Sequence, residues 1–177
     1  GSYNTAIGNR TLDANTTANN NTAVGYAAMS QNTTGTNCTA VGLSALYANT
    51  TANYNSAFGY NALTANTTGA ENTAVGANAM DANTDGNYNE AFGKDALGSG
   101  SGFTKCVAVG NSALKQNTGS SNTAVGHVAL TANTSGAANV AVGAYALDAN
   151  ISSNNNTAVG YDALTDCTTG TDNTAIG

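Results

Sequence analysis

The sequence predicts an all-β protein, a parallel β-solenoid of about ten 17-residue coils that forms a single repeat array over residues 1–177. Two observations predict this fold: a motif of the type Asn-Thr-Ala-Val-Gly recurs along the whole chain, and apolar residues keep the same place in every repeat. Nine of the ten intervals between motif glycines are 17 residues long and one is 16. The motif glycines are Gly8, Gly25, Gly42, Gly59, Gly76, Gly93, Gly110, Gly126, Gly143, Gly160 and Gly177.

The repeat has a fixed apolar skeleton when its residues are numbered from the motif glycine as position 1. Position 5 is always Leu or Met, position 4 is Ala except in the first repeat, position 16 is Ala, and position 17 is Val, Ile or Phe. Helical repeats are longer, from about 33 residues. Glycine and the frequent Asn-Thr-Thr-Gly segment also interrupt a helical pattern, so the unit is predicted to be β-structure.

Two short strands are predicted in each coil, one over positions 14–17 (Asn-Thr-Ala-Val) and one near positions 3–6 (x-Ala-Leu-x). Gly at position 1 and Asn-Thr-Thr-Gly at positions 8–11 are predicted to form the corners, because these residue types tolerate positive φ. The single short repeat has Asn117-Thr118-Gly119 at the second corner. The deletion is therefore predicted to lie in a turn, and stacked coils are expected about 4.8 Å apart.

Both faces of the predicted strands are apolar, which favours self-association. Side chains alternate along a strand, so positions 16 and 17, and likewise positions 4 and 5, are predicted to point to opposite sides. A parallel strand with two apolar faces is normally covered on both. One face would lie inside the coil and the other would meet another chain; the pattern leaves open which column takes which role.

Asparagine fills two further columns, at positions 8 and 14, and these side chains are predicted to stack as ladders. Cys38 and Cys106 replace Asn at position 14, and Cys167 replaces it at position 8. Cys38 and Cys106 are four coils apart, roughly 19 Å at the coil spacing above, so no disulfide framework is expected. The predicted ladder at position 8 consists of Asn15, Asn32, Asn49, Asn66, Asn83, Asn117, Asn133 and Asn150.

The composition points away from a catalyst, a nucleic-acid partner and direct membrane insertion. The chain has a net charge of -6, only four Lys and Arg residues, and no apolar run approaching about 18 residues. His127 is the only histidine, and no catalytic constellation can be argued from it. The densest acidic stretch, from Asp81 to Asp95, lacks the calcium-binding β-roll motif. We expect no enzyme, no catalytic residue, no cofactor and no metal.

The repeats resemble two groups of surface proteins. Segments such as Asn72-Thr73-Ala74-Val75-Gly76 and Gly59-Tyr60-Asn61-Ala62-Leu63 are similar to the head repeats of YadA-like trimeric autotransporter adhesins and to repeats of bacteriophage and other viral tail fibres. The resemblance implies a left-handed parallel β-roll that trimerises about a central axis and carries no catalytic residues. The chain departs from the adhesin heads in its 17-residue coil, where about 14 or 15 is usual, and in its three cysteines.

Tyrosines at variable positions are the candidate surface contacts. Tyr26, Tyr60 and Tyr161 share position 2, and Tyr54 and Tyr88 share position 13. Exposed tyrosines suit contacts with carbohydrate or protein, although edge packing over a coil corner would explain them as well.

These observations predict a structural and adhesive fibre segment. The expected protein is a rigid, homotrimeric or more highly assembled β-solenoid shaft or head, extracellular on a virion or a bacterial cell surface, which contacts a glycan or protein receptor multivalently. The array is expected to be an excerpt of a longer fibre. The alternative is an ice-binding solenoid, because Thr recurs at position 9 in eight of ten repeats.

Overall fold

Eleven three-residue strands form one parallel sheet in a computed structural model that describes residues 1–177. Each strand pairs with the strands one coil before and one coil after it, except the two end strands, which have one neighbour each, and the structure contains no helix. The predicted all-β solenoid of about ten coils is confirmed. The strands are β1 (Thr5–Ile7), β2 (Thr22–Val24), β3 (Thr39–Val41), β4 (Ser56–Phe58), β5 (Thr73–Val75), β6 (Glu90–Phe92), β7 (Val107–Val109), β8 (Thr123–Val125), β9 (Val140–Val142), β10 (Thr157–Val159) and β11 (Thr174–Ile176).

The register places equivalent residues of successive coils side by side. Ala57 pairs with Ala74, and Phe58 pairs with Val75. Across the 16-residue repeat Val107 still pairs with Thr123, so the missing residue is absorbed at a corner, as predicted. The strands begin at position 15, one residue later than the sequence indicates, because the Asn or Cys at position 14 precedes the paired segment.

The prediction of a second strand near positions 3–6 is wrong. This segment is a series of overlapping turns in which Ala62 N donates to Gly59 O (3.4 Å) and Thr64 N donates to Asn61 O (3.2 Å). The third residue of each of these turns has left-handed φ, 54° at Asn61 and 52° at Leu63. Positive φ at that place is typical of a type II turn and incompatible with an extended strand.

The turn segment nevertheless binds both neighbouring coils. Asn61 N donates to Leu43 O of the coil before (3.0 Å), and Leu63 N donates to Ala79 O of the coil after (3.0 Å). The backbone groups of the turns are therefore satisfied between coils, as those of the strands are. This pairing holds the non-strand side of the solenoid in the same axial register as the sheet.

The core lies between the strand and the turn segment of each coil. Its 30 buried residues are mainly the Ala of positions 4 and 16 and the Leu or Met of position 5. Positions 16 and 17 point in opposite directions, with Ala74 buried and Val75 half-buried on the outer face. The same expectation for positions 4 and 5 is wrong: Ala62 and Leu63 are both buried, because positive φ at position 5 turns the leucine inward.

The energetics explain how leucine tolerates this backbone. A left-handed conformation costs an L-residue roughly 1–2 kcal/mol. Full burial of a Leu or Met side chain contributes roughly 1.5–3 kcal/mol. The burial at position 5 therefore offsets the backbone cost in each coil.

Only glycine fits the first position of the motif, because of the backbone conformation there and because the next coil lies very close. Gly59 has a φ of 139°, which L side chains rarely adopt. A Cβ atom at Gly59 would lie 2.5 Å from the carbonyl oxygen of Gly76 in the next coil. The corner therefore brings successive backbones closer than any side chain allows.

Candidate functional site

The outer face of the sheet, here called the outer strand face, carries positions 15 and 17 of every coil. Position 15 is most often Thr, and position 17 forms an apolar column. Phe58 is 40% exposed and Phe92 is 42% exposed within this column. A polar and an apolar row thus run side by side along the solenoid, and the chain itself covers neither.

The position-9 threonines have a structural role between coils. Thr33 donates from Oγ1 to the carbonyl oxygen of Thr50 (3.0 Å), and Thr50 donates to that of Thr67 (3.2 Å). Thr67 in turn donates to Thr84 O (3.0 Å). These hydroxyl protons are used within the chain, so the column proposed for ice binding offers acceptor lone pairs but few free donors.

The position-8 asparagines form an internal ladder in two runs. The first run joins Asn32 to Asn83, with steps such as Asn66 Nδ2 to Asn49 Oδ1 at 3.2 Å. The second run joins Asn117, Asn133 and Asn150. Asn15 lies outside the ladder, and its buried Oδ1 has no partner.

The position-14 asparagines make a different bond pattern. Asn72 Oδ1 accepts the backbone N–H of Asn89 (3.1 Å), and Asn72 Nδ2 donates to the carbonyl of Gly86 (2.8 Å). The column therefore binds mainly backbone groups of the next coil. The sequence predicted this column of asparagines, but their side chains do more than stack on one another, because they also bind the backbone.

The gap between the two ladder runs lies in the coil of Phe103. Gly100 occupies position 8 there, and Phe103 occupies position 11, where most coils have Gly or Ala. At the equivalent Gly86, an added Cβ would lie 2.5 Å from Asn83 Oδ1, so a position-11 side chain points toward the position-8 amide. Phe103 is fully buried, which is consistent with its ring filling the space that the absent amide leaves.

The three cysteines are free thiols, two of them buried. Burial raises the pKa of the Cys38 thiol and of the Cys106 thiol. Cys38 Sγ lies 3.4 Å from the carbonyl of Ala52, in the place of an asparagine amide. A protonated, buried thiol is a poor nucleophile, so Cys38 and Cys106 are packing residues of the position-14 column.

All five candidate tyrosines lie at the surface, in two separate columns. Tyr26, Tyr60 and Tyr161 are 50%, 53% and 70% exposed, and Tyr54 and Tyr88 are 60% and 50% exposed. The position-13 tyrosines flank Glu71, and an open hollow of about 410 Å³ is lined by Tyr54, Glu71 and Thr73.

Sequence reasoning missed a third aromatic group. The rings of His127 and Tyr145 meet edge to face with centroids 5.4 Å apart, and Tyr145 meets Tyr161 in the same way at 5.9 Å. The signal was present as aromatic residues at positions 2 and 3 of three successive coils. Because these aromatic residues alternate between the two positions, no single column of the repeat shows them as a row.

The acidic stretch does not converge on one point. Asp95 lies 3.2 Å from Lys94 and 3.8 Å from Lys115. Desolvation acts to raise its pKa, but hydrogen bonds from Lys94 and Asn78 and the two lysine charges outweigh it, so the pKa of Asp95 lies below its usual value. No cluster of three or more His, Cys, Asp or Glu residues that could hold a metal ion is present.

No protein-family model, no curated protein and no solved structure matches the chain. The structure has no helix of the length and apolar character that crossing a membrane requires.

Proposed function

We propose that the chain is a structural and adhesive fibre segment, a homotrimeric β-solenoid shaft or head that acts outside the cell on a virion or a bacterial surface. The observation that supports it best is the outer strand face, where an apolar column of position-17 side chains runs along all eleven strands. Parallel sheets are normally covered on both faces. Three copies packed through the position-17 column would cover it, with the position-15 side chains at the rim of the interface and the tyrosine columns outside it, in triplicate.

The oligomeric state of the purified chain tests this proposal. Sedimentation equilibrium is expected to give three times the mass of one chain. The double variant Val41→Asp/Val142→Asp places two carboxylates on the outer strand face and is expected to sediment as a monomer, since desolvating them in an interface is costly.

The matched control is Thr68→Asp, which adds a carboxylate at an exposed corner and should leave the trimer intact. Circular dichroism checks that all variants remain folded. A wild-type chain that stays monomeric at high concentration would contradict the proposal.

The second candidate function is ice binding through the same face. Seven of the eleven strands carry Thr at position 15 beside the apolar side chain of position 17, and Glu90, Val107 and Val140 interrupt the row. A periodic array of hydroxyls and methyl groups is favourable for ordering water. Thermal hysteresis of a monomeric sample tests this function, and a trimer that buries the face would abolish it.

A further inference from the structure

The position-13 column holds a feature that the fold does not require. Tyr54, Glu71 and Tyr88 succeed one another at one-coil intervals, and their φ values of 59°, 57° and 59° are nearly equal. The three side chains therefore leave the backbone in the same direction. The two tyrosines are two coils apart, about 9.6 Å at the usual strand spacing.

The open hollow beside this column combines a ring face, a carboxylate and a hydroxyl. Its volume is about 410 Å³ and its lining residues are Tyr54, Glu71 and Thr73. Thr73 projects from β5 and pairs in register with Glu90 of β6, so a second carboxylate lies next to it along the sheet. The hollow is thus acidic on one side and aromatic on the other.

We infer that this hollow binds an extended, neutral glycan, with one sugar ring against Tyr54 and a later one against Tyr88. The flat ring of an exposed tyrosine can cover the apolar face of a pyranose while its hydroxyl stays in water. The Glu71 carboxylate offers two acceptor oxygens to the hydroxyls of the sugar between them, and such charge-assisted bonds are the strong ones. The inference rests on the proposed adhesive function and specifies the class of receptor.

The same residues disfavour other ligands. Around the hollow itself the carboxylates of Glu71 and Glu90 repel sulfated or sialylated glycans and nucleic acids, and the cation of Lys105 lies farther along the column, one coil beyond Tyr88. The backbone N–H groups of Tyr54, Glu71 and Tyr88 already donate to Thr36, Asn53 and Ala70 of the preceding coils. The column therefore offers no free donor edge onto which a peptide strand could add.

An exposed site of this size binds one glycan weakly, and the proposed trimer compensates for that. Three parallel copies present the column three times on one rod. Linkage of the sites raises the avidity for a polysaccharide surface without any new contact.

Calorimetric titration of the purified chain tests the inference. The neutral probes are cellohexaose, chitohexaose, xylohexaose and mannohexaose, and a heparin hexasaccharide is the acidic probe. At least one neutral hexasaccharide is expected to bind, and the heparin fragment is expected not to bind. Tyr54→Ala and Tyr88→Ala should each lower the affinity by about tenfold, and Glu71→Gln should lower it several-fold.

The matched controls are Tyr26→Ala and Tyr60→Ala, which remove similarly exposed rings, 50% and 53%, from the other tyrosine column. They should leave the affinity unchanged. The inference is overturned if none of the neutral hexasaccharides binds, if heparin binds more tightly, or if the control variants lose as much affinity as Tyr54→Ala.

Sedimentation of the same samples separates this result from the fibre proposal. A trimer that binds no neutral hexasaccharide rejects the glycan site alone. A monomer that binds one through Tyr54 and Tyr88 rejects the trimeric fibre alone.

Discussion

Asn49 donates a hydrogen bond from Nδ2 to Oδ1 of Asn32, 2.9 Å away and one coil earlier. Both side chains are fully buried. A buried polar chain of this kind is stabilising only while its members are satisfied, because each unpaired amide carries its full desolvation cost. The ladder therefore makes neighbouring coils depend on one another for stability.

We expect the replacement of a ladder asparagine in the middle of a run to lower the free energy of unfolding. Asn66→Ala removes the partner of Asn49 Oδ1 and of Asn83 Nδ2 and should lower the free energy of unfolding by about 3 kcal/mol. The control is Asn15→Ala, which removes an amide whose Oδ1 has no partner. Urea titration measures both, and equal losses would contradict the ladder's role.

Phe103 is expected to stabilise the coil that interrupts the ladder. Phe103→Ala should lower the free energy of unfolding by about 3–5 kcal/mol, because it opens a cavity where no amide is present. Gly100→Ala should also lower it, because a Cβ atom at Gly100 would overlap the carbonyl oxygen of Asn117 in the next coil. The control is Tyr3→Ala, which removes a ring that is 88% exposed. Urea titration measures all three variants, and a loss in Phe103→Ala as small as that of the control would contradict the prediction.

At two equivalent position-3 sites, we expect the two reverse substitutions to change the free energy of unfolding in opposite directions. Val128 has a φ of 63°, an outlier for a β-branched residue, whereas Asn61 has 54°, which asparagine tolerates. Val128→Asn should raise the free energy of unfolding by about 1 kcal/mol, and Asn61→Val should lower it by about as much. Thermal unfolding of both variants checks the signs, and a stabilising Asn61→Val would exclude the left-handed turn.

We expect Asp81 to make the free energy of unfolding depend on pH. Desolvation by burial, with a contribution from Asp95, raises the pKa of Asp81 above its usual value. A raised folded-state pKa stabilises the fold at low pH, and this contribution is lost as the pH rises through the folded-state pKa. Asp81→Asn should therefore gain stability over the wild type at pH 7 and little at pH 4.

Urea midpoints at the two pH values measure this difference. Asp166→Asn removes an exposed carboxylate from the last coil and controls for the change in net charge. A gain from Asp81→Asn that is the same at both pH values would contradict the assignment.

The coil length, the stacking and the ladder positions could be predicted because each depends on residue type repeated at one spacing. Ala at position 16, Asn at position 8 and Gly at position 1 recur with little variation, and even the deletion after Asn117 could be placed at a corner. The candidate tyrosines could also be located, since variable positions in a solenoid lie at its surface. Their distances to one another along the rod follow from the coil spacing.

The sequence by itself determined the parallel solenoid and the residues that fill its interior columns, because a short repeat can satisfy its backbone only by pairing with copies of itself. The tertiary structure alone decided the conformation of Ala62–Leu63 and the outward direction of Val75. Taken by itself, an Ala-Leu pair in this repeat is compatible with a short strand, and the stacking of the coils determines its actual conformation. Only in the stacked coils do inter-coil hydrogen bonds and burial outweigh the cost of a leucine at positive φ, turn both side chains inward, and leave position 17 as the apolar column on the surface.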